Sequence, residues 1–447
     1  MRYIPHTQED VRRMLEVVGV KEVSDLFGCI PQDLKLSGEL KLPKPLDEES
    51  LAVLLGGLAD NNSGSANRVA LFLGAGAYSH HIPRAVDHIL LRSEFFTAYT
   101  PYQPEVSQGT LQAIFEYQTM MASLVGCEVV NASMYDGATA AAEALLMARR
   151  IKRKKPKTLV SRAVHPEVRQ VCDTYLRESR IPAEVAYSPE GITDPAALAE
   201  ALDKDVAAVV VQQPNALGCL ENLPKLAEAV HAAGALLIVV VLEPVSLGLL
   251  EGPGNLGADI VVGEGMGLGT GLNFGGPGLG IFGASKKNAW QIPGRLVGQT
   301  VDVEGQRGFV LTMSTREQHI RRARATSNIC TNEGLCTLAA AVHLALLSKD
   351  GFSALARTNA ANARAAFERL SACRGVEPAF ATPFFNEFAL KLERPTSDVL
   401  RDLRREDIIG GLDLSRFYPE MNNHLLVCVT ELNSREQVEA FAGVLDS

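Results

Sequence analysis

The feature that most constrains this fold is a run of seven apolar residues, ALLIVVV at 235–241, with no polar alternation. A strand with one face in water alternates apolar and polar side chains. A strand apolar throughout has both faces covered, which is the mark of a parallel sheet between layers of helix. The neighbouring segments fit the same scheme. TLVSRAV (158–164) reads as a strand and PEVRQVCDTYLRES as the helix after it. AEVAYS is a second strand, DPAALAEAL a helix, and DVAAVVVQQ (205–213) a third strand. NLPKLAEAVHAAG reads as a helix with Asn222 as its cap, proline near the first turn and Gly234 at its end. Such β–α alternation, from about Val69 to about Glu333, predicts an open, mainly parallel sheet.

The flanks read differently. Thr7 and Asp10 have capping-box spacing ahead of VRRMLEVVGV, and Pro31, Pro43 and Pro45 punctuate the stretch after that helix, so 1–65 is expected to be a mostly helical arm. The large α/β domain is expected over 66–334. An alanine-rich helix from Leu338 to Ala372, the strands FFNEFALKL and NHLLVCVT, and a last helix predict a small α+β domain over 335–447. The basic run RRIKRKKPK (149–157) reads as a solvated helix end rather than an anion site.

Composition excludes several classes. A net charge of −9 argues against nucleic acid as a partner. Eight cysteines without a CxxC pair (Cys29, Cys127, Cys172, Cys219, Cys330, Cys336, Cys373, Cys428) suit buried free thiols in a reducing compartment. The start MRYIPHTQED has no apolar h-region, and no run reaches the ~20 apolar residues of a membrane span, so a cytoplasmic, non-membrane protein is expected. His80, His81 and His88 are the one close histidine cluster and lack zinc-type spacing, so no metal is expected.

Three segments are richer in special residues than packing requires. EFFTAYTPYQPEVSQGT (94–110) sets Tyr99, Thr100, Tyr102, Gln103 and Glu105 around prolines that hold the chain extended, as a loop contacting a small polar substrate would. An ordinary surface loop explains the composition as well. NASMYDGATAAAEALLMA (131–148) opens a helix at Gly137 and Thr139, where free N–H groups suit an anion such as phosphate; simple capping is the alternative. GADIVVGEGMGLGTGLNFGGPGLGIF (257–282) has glycine too dense for a packed strand or helix, and lets backbone approach a cofactor or partner. It contains neither a dinucleotide fingerprint nor a P-loop.

The runs YTPYQPEVSQGTLQAIFEYQ, NASMYDGATAAAEA, GADIVVGEG…FGGPGLG, IPGRLVGQTVD and STREQHIRRARATSNICT succeed one another in the order and spacing of the glycine-cleavage P-protein. The chain resembles that family, the decarboxylating glycine dehydrogenases, from about Tyr3 to its end. The resemblance implies a fold-type-I, aminotransferase-like α/β domain of the pyridoxal phosphate (PLP) enzymes. It also implies the N-terminal-half subunit of the two-subunit form, an oxidoreductase active only with its second subunit. That partner would carry the PLP lysine. Together they would decarboxylate glycine and pass the aminomethyl group to the lipoyl group of H-protein.

The resemblance also points to something missing. The catalytic half of the family holds PLP on a lysine in a histidine-rich segment followed by glycines. The similar segment here reads DIVVGEGMGLGTG, with Gly267 about where that lysine falls, and no lysine lies between Lys225 and Lys286. The acid that would face the pyridine nitrogen is altered to Leu242-Glu243-Pro244. PLP is therefore expected on the partner and not on this chain. The loop residues Tyr99, Thr100, Tyr102, Gln103 and Glu105 would complete the partner's pocket. Thr315, Arg316, Glu317, His319, Arg321 and Asn328 would contact PLP phosphate, partner or carrier, or form an interface ion network. Two other readings stand beside this: a scaffold subunit contributing no active-site atom, and an autonomous PLP lyase using Lys286 or Lys287.

Overall fold

The computed structural model describes residues 5–62, 69–179 and 181–447. Residues 1–65 form one unit and 66–447 another. The first contains helices α1 (Gln8–Val18) and α2 (Glu48–Asp60) joined by two short 3-10 turns. The Thr7–Asp10 capping box starts α1, Thr7 N donating to the Asp10 carboxylate at 2.8 Å and Asp10 N donating back to Thr7 Oγ1 at 3.2 Å. This unit buries none of its described side chains; Leu36, Leu40, Leu42, Leu54, Leu55 and Leu58 are among those left exposed. Residues 1–4 and 63–65 of the expected arm lie outside the described residues.

The second unit is built on a seven-stranded sheet. Its strands are β1 (Val129–Val130), β2 (Lys157–Ser161), β3 (Ala183–Val185), β4 (Val206–Gln212), β5 (Leu236–Val241), β6 (Ile260–Glu264) and β7 (Gly280–Ala284), in the spatial order β1-β7-β6-β5-β4-β2-β3. The five strands from β6 across to β3 are parallel, and β7 runs antiparallel to both β6 and β1. Successive side chains on the all-apolar strands go to opposite faces. Val209, Val211, Leu237 and Val239 join Tyr117 and Met121 of α3 (Gln108–Val125) in one core. Val210, Ile238 and Val240 join Leu145 and Met147 of α4 (Gly137–Ile151) in the other.

The glycine-dense segment corrects the sequence reading, because it contains β6 and the first three residues of β7. Gly263 lies so close to β5 that a Cβ there would collide with Val241 O, and one at Gly280 would meet Asp136 O at 2.6 Å. Glycine is dense here because strands and loops pack backbone against backbone.

The expected boundary at 334 falls at the start of one long helix, α5 (Gly334–Ser371), broken at Ser348 where φ is 57°. Cys336, Ala340, Leu344 and Phe352 pack on the large sheet. Ala363, Ala366 and Leu370 pack on a four-stranded antiparallel sheet containing Glu387–Leu392 and His424–Cys428. By length and composition α5 is apolar enough to span a membrane, contrary to the sequence reading. Half of its most apolar stretch is buried in the fold, so here it is a core helix. All eight cysteines are free; Cys29 and Cys330 are exposed rather than buried as expected. The basic run ends α4, Lys155 Nζ reaching Ala233 O at 2.8 Å and Lys157 pairing with Asp203.

Candidate active site

The loop after Phe96 is held from below by a residue the sequence reading did not single out, Arg295. It follows Gly294, ahead of the apolar strand β8 (Leu296–Val301), which pairs with β9 (Arg307–Thr312) in a hairpin. Its side chain is 1% exposed. Nη2 donates to the Tyr102 hydroxyl at 2.8 Å, and Nη1 donates to Thr331 Oγ1 at 2.8 Å and Thr100 Oγ1 at 3.3 Å. The guanidinium also lies 5.2 Å from the Tyr102 ring centre, with Glu317 Oε2 3.5 Å from Nε. His319 meets the Tyr102 ring edge-on at 5.7 Å and Glu317 at 3.6 Å. Arg295 lies in the run IPGRLVGQTVD that carries the resemblance, as a lone charge between glycine and an apolar pair, and nothing local marks its role.

Thr100, Tyr102, Glu317 and His319 are thus brought together, although about two hundred positions separate the two stretches. Tyr99, 83% exposed, lines with Thr100, Thr331 and Asn332 an adjoining cleft of about 260 Å³. Gln103 and Glu105 are exposed at a 3-10 turn and join no part of the cluster. Arg316 is buried, capping Ile292 O and Gly294 O (the latter at 2.8 Å), which makes it a brace for the segment carrying Arg295 rather than a free anion contact. Thr315 and Arg321 are exposed, tied by Arg321 Nε to Thr315 O at 3.0 Å. Asn328 lines a different, polar pocket of about 470 Å³ with Tyr135, Thr139, Glu143 and Ser327.

The carboxyl ends of the parallel strands, where open α/β sheets bind ligands, hold Glu243 after β5, Glu264 at the end of β6 and Gly267 in the turn Met266–Leu268. The N-terminus of α4 meets them there: Gly137 N donates to Glu264 Oε2 at 3.0 Å, and Thr139 N to its own cap, Asp136 Oδ1, at 2.7 Å. The capping alternative for Gly137 and Thr139 is the one realised. Glu243 is not left to face a ring nitrogen; it pairs with buried His80 at 3.0 Å. These residues do not fit PLP: Gly267, about where the resemblance implies a lysine, offers no amine, and the N–H groups at the helix end are satisfied by carboxylates of this chain. Lys286 and Lys287 offer no substitute. They follow β7, whose end at Ala284 pairs with Ile260 at the start of β6, and so lie beyond the opposite ends of the parallel strands. His80 engages Glu431 through its other ring nitrogen at 3.0 Å, and among the described residues no cluster has the geometry for a metal ion.

Known proteins share the fold and, in part, the sequence. A solved glycine decarboxylase (P-protein) of the glycine cleavage system, in inhibitor-bound form, superposes with a TM-score of 0.89 at 45% identity, covering 100% of this chain and 99% of that one. A sphingosine-1-phosphate lyase of Burkholderia pseudomallei (TM-score 0.66, 14% identity, 93% of each chain) shares the fold alone. Among curated relatives, a probable glycine dehydrogenase (decarboxylating) subunit 1 of Desulforamulus reducens is 50% identical over 446 residues, covering 100% of this chain and 99% of the relative. One of the same name from Brevibacillus brevis is 48% identical, covering 100% and 98%. The fold is thus that of the fold-type-I PLP-dependent enzymes. With the family profile matching residues 1–445, the chain belongs to the glycine cleavage system P-protein family.

Proposed function

We propose that this chain is the lysine-less half of a two-subunit glycine decarboxylase, active only with a second subunit that carries PLP. The observation that carries the proposal is the contrast between two sites: glycine at 267, where a cofactor lysine would stand, beside an intact polar loop anchored by Arg295. PLP on the partner would supply the electron sink for loss of CO2 from glycine. This chain's share is positioning. Because the Tyr102 oxygen accepts from Arg295, its own O–H proton remains free to donate outward, and the ring is half exposed. Thr100 sits beside it on the same guanidinium. Such a pair can hold a glycine carboxylate at the partner's pocket and keep water from it.

The apolar side chains of the N-terminal unit support a large obligate interface, of ~2,000 Å² or more. The relatives' designation as subunit 1 supports a second subunit. The aminomethyl group would pass to the lipoyl group of H-protein, and eight unpaired thiols support a cytoplasmic setting. The test is reconstitution. Mixed with its lysine-bearing partner, the chain should form a stable complex whose glycine-dependent CO2 release requires both chains and lipoyl H-protein. Each subunit should raise the other's melting temperature. Full activity from the partner alone, with rate and stability unchanged on adding this chain, defeats the proposal.

A further inference from the structure

We infer that this chain closes its own cofactor cleft from within, at two separate places, so that restoring a lysine at 267 does not by itself reopen it. Only groups of this chain are involved, and the closure stands whether or not the partner assignment holds.

The first closure is at the anion end. The N-terminus of α4 is where a phosphate would bind in such a cleft, and Glu264 sits there instead. Its Oε2 accepts from Gly137 N at 3.0 Å, and its Oε1 from Met266 N at 2.9 Å and Leu279 N at 2.7 Å. Asp136 takes Thr139 N and Oγ1 at 2.7 and 3.0 Å. A phosphate arriving here meets two carboxylates and N–H donors already engaged. The helix end is also pressed onto β6, a Cβ on Gly137 lying 3.0 Å from Glu264 N and 3.0 Å from Gly263 C.

The second closure is at the lysine end. A Cβ on Gly267 would stand 3.3 Å from His80 Cδ2, so a lysine there must grow into the imidazole. His80 cannot readily step aside. Its side chain is fully buried between Glu243 Oε2 and Glu431 Oε2, each 3.0 Å away. Asn386 Nδ2 donates to the same Glu243 oxygen at 3.0 Å and Asn359 Nδ2 to the same Glu431 oxygen at 2.9 Å. Withdrawing the ring would leave two buried carboxylates without their cation. Glu431 also accepts from His81 N at 2.7 Å, so the clasp ties the end of β5 to the strand His424–Cys428 and to α5.

The experiment uses full-length chain incubated with PLP, reduced with borohydride and peptide-mapped. Gly267→Lys alone should carry no pyridoxyl group at 267. Gly267→Lys with His80→Ala and Glu264→Ala should gain one, the new ammonium first replacing the imidazole between the carboxylates. An equal stoichiometric adduct on the single variant overturns the inference, as does a triple variant that melts cooperatively yet gains none. Glu264→Ala alone, which leaves the His80 clasp untouched, keeps the claim testable should the triple variant not fold. Inorganic phosphate should raise its melting temperature and not that of the parent; no rise, or an equal rise in both, overturns the anion-end closure.

Discussion

Replacing Arg295 with methionine removes the cation that organises the candidate loop while keeping most of its bulk. Three hydrogen bonds are lost, to Tyr102, Thr331 and Thr100, together with the contact to Glu317. Both charged side chains are almost completely buried, at 1% and 6% exposure, and Glu317 Oε1 already has no hydrogen-bond partner. Deleting one member of a buried pair strands the other, at a cost of ~3–5 kcal/mol. Most of that is the penalty on Glu317, so the double variant Arg295→Met/Glu317→Met should recover much of the loss. Arg295→Lys should lie between, since an ammonium keeps the charge but not the planar fork spanning three hydroxyls. Urea denaturation of the parent, Arg295→Met, Glu317→Met and the double variant at one pH closes the cycle. A single variant within ~1 kcal/mol of the parent, or a double variant no more stable than Arg295→Met, refutes the reasoning.

Tyr102→Phe keeps the ring and removes the hydroxyl held by Arg295; CO2 release by the reconstituted enzyme should fall ~10²-fold, and activity within twofold of the parent contradicts the contact. Burial alone would depress His80, but Glu243 and Glu431 overcome it and hold the imidazole up at about 10, above its ordinary 6.5. Its contribution, ~5 kcal/mol at most, is full below pH 6.5 and is lost as pH rises through 10, so the stability gap between the parent and His80→Gln should narrow over that range. Glu431, drawn down to about 2 mainly by His80 despite burial, makes the matching loss appear as pH falls from 4.5 towards 2. Burial raises Glu387 to about 7, which lowers stability between pH 4.5 and 7 in both proteins and cancels in the gap; a gap that stays flat from pH 6.5 to 10 rules out a charged clasp at His80. Gly263→Ala sets a methyl against Val241 O and should cost ~3 kcal/mol in urea denaturation; a cost under ~1 kcal/mol means β5 and β6 part more easily than their spacing implies.

Strands β4 and β5 were readable within a residue because burial on both faces leaves them almost wholly apolar, whereas β2, expected over 158–164, ends at Ser161. The Thr7 and Asn222 caps were readable because their partners lie three positions away. Gly263 and Gly280 misled because glycine in a strand lowers strand propensity wherever the reason for it, a neighbouring backbone, cannot be seen. The cleft was half legible. A missing lysine is a local fact, but its replacement is not: His80 meets Glu243 across 163 positions and Glu431 across 351. Arg295 reaches Tyr102 across 193. Side chains acting through such distant contacts leave no periodicity in the sequence.

Two of the buried cations, His80 and Arg295, bear on what the chain is for. A buried ion pair is a poor way to gain stability, since apolar residues of the same volume often do as well or better. His80 has an evident local task, because it joins Glu243, after β5, to Glu431, beyond the strand His424–Cys428. Arg295 has none of that kind. Its hydroxyl partners on Thr100 and Tyr102 belong to a loop whose outer residues Tyr99, Gln103 and Glu105 face solvent, and a loop of this size could be packed as well by leucine. What the guanidinium adds is position: by donating to the Tyr102 oxygen it fixes that oxygen and leaves the hydroxyl's own proton unspent. A scaffold with no part in the chemistry gains nothing from that arrangement, whereas a subunit lending a donor to its neighbour's pocket depends on it.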